Sequence, residues 1–411
     1  MADGGKQKSG RSCSLTLKSE RTEPAKPGAE MLPLLALAAA AAPAAAVPKS
    51  TPIFVPTPRY PCFRQPAIVA AGSALLAFAE NRNVSACAPE MLGGAAEARA
   101  AHPEEVGSLQ LRRSTDGGES WMPMQSLHVG NIDFYSVVFD AKASTVWLML
   151  QASGVAVLSS KDAGATWETS MLDAESVKGA PPGIGLSGPA VGHGIQISPS
   201  LCSSPCAEAG RLVLPMVCSN ATAKGSHSDR GCTTCNSCLL ISDDAGKSWS
   251  IGAVGQQGTR ESQIVQVKSQ NQAAMIYGSE RNMGATPGHR DYAISVNGGS
   301  SYVRTGTDKV LTEPKTAHWT GIVGSVVRLG DKILYSGPAS KTLRAVMTIH
   351  TSTDGSSWDA GKVLWESYAG YSDMAPLPGG DAAMIIMENG NKSFSDFVSV
   401  AKITKAWLEG P

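Results

Sequence analysis

From about residue 52 onward the chain is written in short apolar runs separated by turn formers, and sustained helical periodicity is hard to find. Runs of about four to eight residues rich in Val, Ile and Leu, bounded by Gly, Asp and Pro, are strand signals. Ala67–Ala70 followed by Ala74–Ala79 reads as a hairpin turning at Gly72. Phe134–Phe139 with Thr145–Gln151, Ser262–Lys268 with Ala273–Gly278, and Gly324–Leu329 with Lys332–Ser336 repeat that form, as do Arg211–Val217 and Ala382–Glu388. The last segment, Ile403–Leu408, reads as a capping helix or as a final strand.

Between these runs one turn recurs. It reads Ser-x-Asp-x-Gly-x-x-Trp at Ser114–Trp121, Ser160–Trp167 and Ser242–Trp249, in shortened form at Ser352–Trp358, and in a worn copy at Ser295–Tyr302. Asp or Asn accepts hydrogen bonds from the backbone just ahead of it, Gly supplies a positive φ, and the aromatic packs under the hairpin. The copies lie 46 to 82 residues apart, which marks a repeat architecture. The expected fold is all-β: a six-bladed β-propeller at roughly 60 residues per blade, with a seven-bladed propeller or a β-sandwich array as alternatives.

Charge is balanced, 35 basic against 35 acidic residues, so there is no electrostatic footprint for nucleic acid. The first 50 residues form a separate extension: a polar stretch to residue 30, then an apolar core over 31–46 ending in Ala44-Ala45-Ala46. That layout is a secretory signal cleaved near Ala46, with an uncleaved anchor or plain low-complexity alanine as the other readings. Its core is short for a membrane span of roughly 20 residues, so no stable membrane insertion is expected after cleavage. Translation beginning at Met31 would give the signal an ordinary start. Residues 51–411 would then be the propeller, with a cysteine-rich insertion at about 198–240. A mature chain keeps eight of the nine cysteines, an even set that suits disulfides in an oxidising compartment. Asn83, Asn220 and Asn391 head glycosylation sequons. Within the insertion, Cys202, Cys206, Cys218, Cys232, Cys235 and Cys238 with His227 fit either a disulfide-stapled loop or a zinc knuckle. The expected destination is secreted or lumenal.

Three passages carry charged or phenolic residues where a scaffold would accept others: Phe63-Arg64-Gln65-Pro66; Arg260-Glu261 leading to Glu280-Arg281-Asn282; and Tyr335 through Arg344 leading to Gly370-Tyr371 and Glu388. With the repeated turns, these resemble the exo-α-sialidases (neuraminidases) of the retaining, six-bladed type, over roughly residues 52–400. Phe63-Arg64-x-Pro66 is similar to the family's (F/Y)RIP motif, with Gln65 in place of Ile, and the repeated turns look like its Asp boxes. The resemblance implies that Arg64, Arg281 and Arg344 clamp the carboxylate of a sialic acid, for which planar guanidiniums are suited. It implies that Tyr371 is the nucleophile, because a neutral phenol is not repelled by the substrate carboxylate; tyrosine sialidases are an exception among glycosidases. A phenol of pKa about 10 needs a base, and Glu261 matches it. Glu388 matches the carboxylate that steadies the first arginine, and Arg82 contacts substrate or steadies the acid loop. No metal or organic cofactor is implied, and the partners are sialylated glycans.

One departure stands out. The family places an Asp, its general acid/base, between the Glu80-Asn81-Arg82 turn and the first box, and this chain has no Asp between Arg82 and Arg113. Glu104 and Glu105 fall in the best register to replace it. The alternatives to hydrolysis are a catalytically inactive sialic-acid-binding lectin, a trans-sialidase, and a receptor propeller that carries only the turns. Linkage preference and oligomeric state are not readable from the chain.

Overall fold

A computed structural model describes residues 46–84, 87, 107–130, 132, 134–151, 154–173, 177–220, 234–283, 288–315 and 321–410. By compactness the chain divides into Met1–Pro43 and Ala44–Pro411, and the strands all belong to the second unit. Most of the leader read from the sequence, together with Glu104, Glu105, Cys232 and His227, lies outside the described residues.

The fold is all-β and propeller-like, and its strands fall into five sheets, antiparallel except where Gly192–His193 pairs parallel to Tyr135–Asp140. The first runs from Phe63–Ala71 through Ala74–Asn81 and Ser108–Ser114 to Gln125–Val129. The second is built on Tyr135–Asp140 to Glu168–Met171, the third on Leu212–Asn220 to Ser250–Gln257, and the fourth on Thr259–Val267 to Arg304–Thr312. The fifth sheet has seven strands, and its long strand Lys362–Pro376 serves two neighbours in turn. Its first half pairs with Ala345–Ser352 and its second half with Ala382–Gly390, with Tyr368 paired on both sides. Thr51–Phe54, from the start of the unit, pairs with Phe397–Thr404 and completes this sheet.

Burial explains the lettering of the strands. Ala74–Asn81 and Ala382–Gly390 are buried along their whole length, sandwiched between sheets, and so read as apolar runs up to Ala79 and Met387. Glu168–Met171, an outer edge, is exposed throughout. The apolar clusters fill the spaces between consecutive sheets. One joins the first and second sheets through Phe78, Leu111 and Tyr135, another joins the last to the first through Phe54, Ile68 and Ile386, and the circle closes.

Each repeated turn connects the third strand of a sheet to its fourth. In the second sheet the Ser160 hydroxyl donates to Asp162 (2.8 Å), while Asp162 accepts the backbone N–H of Thr166 (2.9 Å). Hydrogen bonds from Thr166 hold the Asp162 carboxyl down to about 2. The turn aromatics Trp121, Trp167, Trp249, Tyr302 and Trp358 each enter a different inter-sheet cluster. The final strand ends at Thr404, which caps a single helical turn, Lys405–Glu409, and buries Trp407. Both readings of the terminal segment are therefore partly right: strand to Thr404, helix beyond.

In the insertion Cys202 is bonded to Cys206 and Cys218 to Cys238, and Cys235 is also oxidised. These five sulfurs are thus taken by disulfides, the first of the two readings of that segment.

Candidate active site

The innermost strands run side by side around the axis, and each has its N-terminal end at one mouth. Arg64 and Arg260 with Glu261 stand toward that end of their strands, and Tyr371 stands near the start of the second half of Lys362–Pro376, just past Tyr368 where the strand changes partner. The other ends of the same strands (Ile68–Ala70, Ile264–Gln266, Met374–Pro376) line an axial cavity of about 320 Å³. Third strands run parallel to first strands, so the repeated turns lie at the end away from Arg64 and Tyr371. Scaffold turns and candidate chemistry occupy opposite faces.

Every one of the site segments breaks its ladder. The register slips between Arg64 and Ala67, between Arg260 and Gln263, between Ala345 and Met347, and between Ala369 and Ser372. Gln65, Glu261 and Val346, inside three of these slips, have φ of 53°, 49° and 65°. A side chain other than glycine in that region costs on the order of 1–3 kcal/mol, and bulges re-aim side chains where a regular strand would point them elsewhere. A regular strand would send Arg260 and Glu261 to opposite faces.

Glu388 ties the segments together. Its Oε1 accepts Arg64 Nε (2.7 Å) and the backbone N–H of Gln65 (2.8 Å); its Oε2 accepts the backbone N–H of Tyr371 (3.0 Å). Glu388 is fully buried, so these bonds are charge-assisted and shielded from solvent. A Cβ at Gly370 would overlap Glu388 Oε2, which is why that position carries no side chain. Arg64 Nη1 also reaches the carbonyl of Cys87 (3.3 Å), and Cys87 is disulfide-bonded to Cys62.

Tyr371 lies at the centre. Its hydroxyl donates to Glu261 Oε2 (3.1 Å), and Arg281 Nη1 donates to the same hydroxyl (2.7 Å) and to Glu261 Oε2. The guanidinium carbons of Arg344, Arg64 and Arg281 lie 5.2, 5.6 and 5.9 Å from the Tyr371 ring centroid. Phe394 backs two of them, 4.9 Å from Arg64 and 5.0 Å from Arg344. All three arginines are buried, from three separate regions of the chain.

The two titrating groups are pushed apart. Burial drives the Glu261 carboxyl upward, but Arg281 and Arg260 beside it, with hydrogen bonds from Arg281 and Tyr371, bring it below the ordinary carboxylate range. Burial raises the Tyr371 phenol to about 12, because Glu261 adds to the rise and the three arginines only partly offset it. The resting pair is therefore a carboxylate facing a neutral phenol.

Arg82 is part-exposed and donates Nε to the buried Glu80 (2.8 Å), which sets its direction. Of the residues singled out in the sequence, Arg64, Glu261, Arg281, Arg344, Tyr371 and Glu388 come together; Glu104 and Glu105 lie outside the described residues. Glu80, Phe394, Arg260 and Asp373 had no role evident in the sequence. Asp373 is fully buried and accepts from the backbone N–H of Ile68 (2.9 Å) and the Ser325 hydroxyl (2.9 Å), and pairs with His193 Nδ1 (2.6 Å). It thereby fastens three inner segments two residues beyond Tyr371.

Residues 134–384 match the family model described as BNR repeat-like domain. The chain is 25% identical over 341 residues to a sialidase of Micromonospora viridifaciens, covering 74% of this chain and 47% of the relative. It thus spans about half the length of that curated relative. Among solved structures, the Hadza microbial sialidase Hz136 superimposes with a TM-score of 0.61 at 18% identity, over 84% of this chain and 66% of that one. The intramolecular trans-sialidase from Ruminococcus gnavus gives 0.63 at 14% identity, over 88% and 98%. The leech intramolecular trans-sialidase gives 0.64 at 13%, over 88% and 71%. At these identities the likeness is one of fold.

Proposed function

We propose that this chain, which belongs to the BNR repeat-like domain family, is an exo-α-sialidase that hydrolyses terminal sialic acids with retention of configuration. The observation that carries the reading is the convergence of Arg64, Arg281 and Arg344 around Tyr371, with Glu261 hydrogen-bonded to its hydroxyl. Three buried guanidiniums about one phenol suit a substrate whose carboxylate sits on the carbon to be attacked. The sialidase relative and the family match support the same conclusion. Dividing the seven-stranded sheet at Tyr368 gives two four-stranded units, and with the other four sheets a six-bladed propeller. The repeated turns are its Asp boxes.

In this mechanism the arginines hold the substrate carboxylate and present the anomeric carbon to Tyr371. The phenol stays neutral until the new C–O bond forms, since burial raises its pKa to about 12. As the bond forms its proton passes to Glu261 Oε2, and the aglycone oxygen leaves after protonation by Glu104 or Glu105. Water, deprotonated by that same glutamate, then attacks the glycosyl-tyrosine, and Tyr371 leaves as a phenol with the proton returned by Glu261. Arg82, oriented by Glu80, contacts the bound sugar. Sialylated glycans or glycoconjugates are the substrates. Disulfides in the insertion support a secreted or lumenal setting.

The test is release of 4-methylumbelliferone from its sialoside by the wild type and by Tyr371→Phe, Glu104→Gln and Glu105→Gln. Tyr371→Phe should abolish turnover, and one of the two glutamate variants should slow it. Full activity in Tyr371→Phe would refute the mechanism; binding of a sialic acid analogue without turnover by the wild type would mark a lectin.

A further inference from the structure

A fourth buried arginine, Arg260, stands beside the three of the site. Arg260 precedes Glu261 on the same bulge, is 3% exposed, and lies with its guanidinium carbon 4.4 Å over the Phe134 ring. Its Nε is 4.0 Å from Glu261 Oε1. That is the oxygen left over by the other contacts, because Tyr371 and Arg281 both engage Oε2. Arg260 is also directly opposite Arg281 in the ladder between Thr259–Val267 and Met275–Asn282. Like charges on paired positions repel, and a buried scaffold position has no use for such a pair. A carboxylate shared between them removes the conflict.

We propose that Arg260 is a positioning residue for the Glu261–Tyr371 pair, holding Glu261 charged and turned toward the phenol while Arg281 is drawn to the substrate. The proposal rests on the sialidase reading only for its kinetic consequence. The groups that face Glu261 are Arg281 from the neighbouring strand, Tyr371 from the long strand of the fifth sheet, and Arg260 from its own. Arg281 already donates to both Tyr371 and Glu261, so an incoming carboxylate competes for its bonds. Arg260, over the Phe134 ring and with Nε 4.0 Å from Oε1, is the charge that remains beside the base. Burial alone would favour a protonated Glu261, and a protonated base cannot accept the proton of Tyr371.

The carboxyl titration of Glu261, followed by carbon NMR on protein labelled at glutamate and assigned by Glu261→Gln, tests this without any substrate. Arg260→Gln should raise the midpoint by about one unit or more, the usual effect of losing an opposite charge within about 4–6 Å. Arg260→Lys keeps the charge, should stay near the wild type, and serves as the folded control. An unmoved midpoint in a folded Arg260→Gln protein overturns the proposal. The acid limb of kcat/KM for an aryl sialoside should move with the NMR midpoint. If the NMR midpoint moves while the limb stays, Arg260 has its assigned effect on Glu261 and the assignment of Glu261 as base is what fails.

Discussion

Replacing Glu388 by glutamine changes one oxygen for one amide group, and the structure states what that must break. The carboxylate accepts three N–H groups, two on Oε1 from Arg64 and Gln65 and one on Oε2 from Tyr371. With the amide oxygen toward Arg64, the new NH₂ confronts the Tyr371 N–H; with the amide turned over, it confronts both Arg64 and Gln65. Neither rotamer satisfies the site. The lost charge also leaves Arg64, buried and 2.7 Å away, without its partner on that carboxylate. Breaking a buried pair from one side costs about 3–5 kcal/mol. We therefore expect Glu388→Gln to lose stability of that order in urea unfolding, read as a lower midpoint at unchanged slope. Affinity for a sialic acid analogue should fall at the same time, because Arg64 and the Tyr371 backbone are released together. An unfolding free energy within about 0.5 kcal/mol of wild type, with unaltered analogue binding, would refute the view that Glu388 fastens the two segments.

Gly370→Ala should behave similarly for a steric reason: the added Cβ meets Glu388 Oε2, and overpacking costs about 1–3 kcal/mol; unchanged activity and unfolding midpoint would contradict it. Tyr371→Phe removes a phenol held near 12 in the folded protein against about 10 when unfolded. A raised folded pKa contributes stability below pH 10 that is lost as pH rises through 12, so the wild type should lose about 2–3 kcal/mol more than Tyr371→Phe across that interval. Parallel pH–stability curves for the two proteins would count against the burial of this phenol. Glu261 has the opposite sign, since its folded pKa is depressed. Its contribution is present above the ordinary glutamate value and lost on acidification, so Glu261→Gln should flatten the acid side of the stability curve; equal acid slopes would be the contrary result. Trp407→Ala should cost about 3–5 kcal/mol in chemical unfolding, as for other buried tryptophans, and a near-wild-type midpoint would show the terminal helix to be dispensable.

The strands were legible because their order follows burial. Ala74–Asn81 and Ala382–Gly390 lie between packed sheets, and nothing but apolar residues and small turns was needed to find them. The site residues were named only through resemblance, and their assembly was not legible at all. Arg64, Glu261 and Tyr371 depend on bulges at Gln65, Glu261 and 369–372, and a bulge shifts the phase of a strand without marking the sequence. A period-two reading puts Arg260 and Glu261 on opposite faces, so it hides the contact between them. Asp373 was visible as an acid, but its partners Ile68, His193 and Ser325 come from distant parts of the chain and no local pattern names them, whereas Glu80 pairs only two residues on, with Arg82.

The same logic explains why the turns are so plain and the site so obscure. A turn of the Ser160–Trp167 kind closes its hydrogen bonds within eight residues and sends one ring into the nearest cluster, so its whole physics is local. Five such rings enter five of the spaces between sheets. The sixth space, between the two halves of the seven-stranded sheet, has no repeated turn, and there Trp407 of the terminal helix is buried among Leu334, Leu364, Met387 and Ile403. The irregular end of the chain thus does for the last junction what the turns do for the others. This agrees with the six-bladed division proposed above, where hydrogen bonding alone counts five sheets among the described residues. It also makes the helix after Thr404 part of the scaffold, on which the strained ends of the inner strands depend to hold Tyr371 among its arginines.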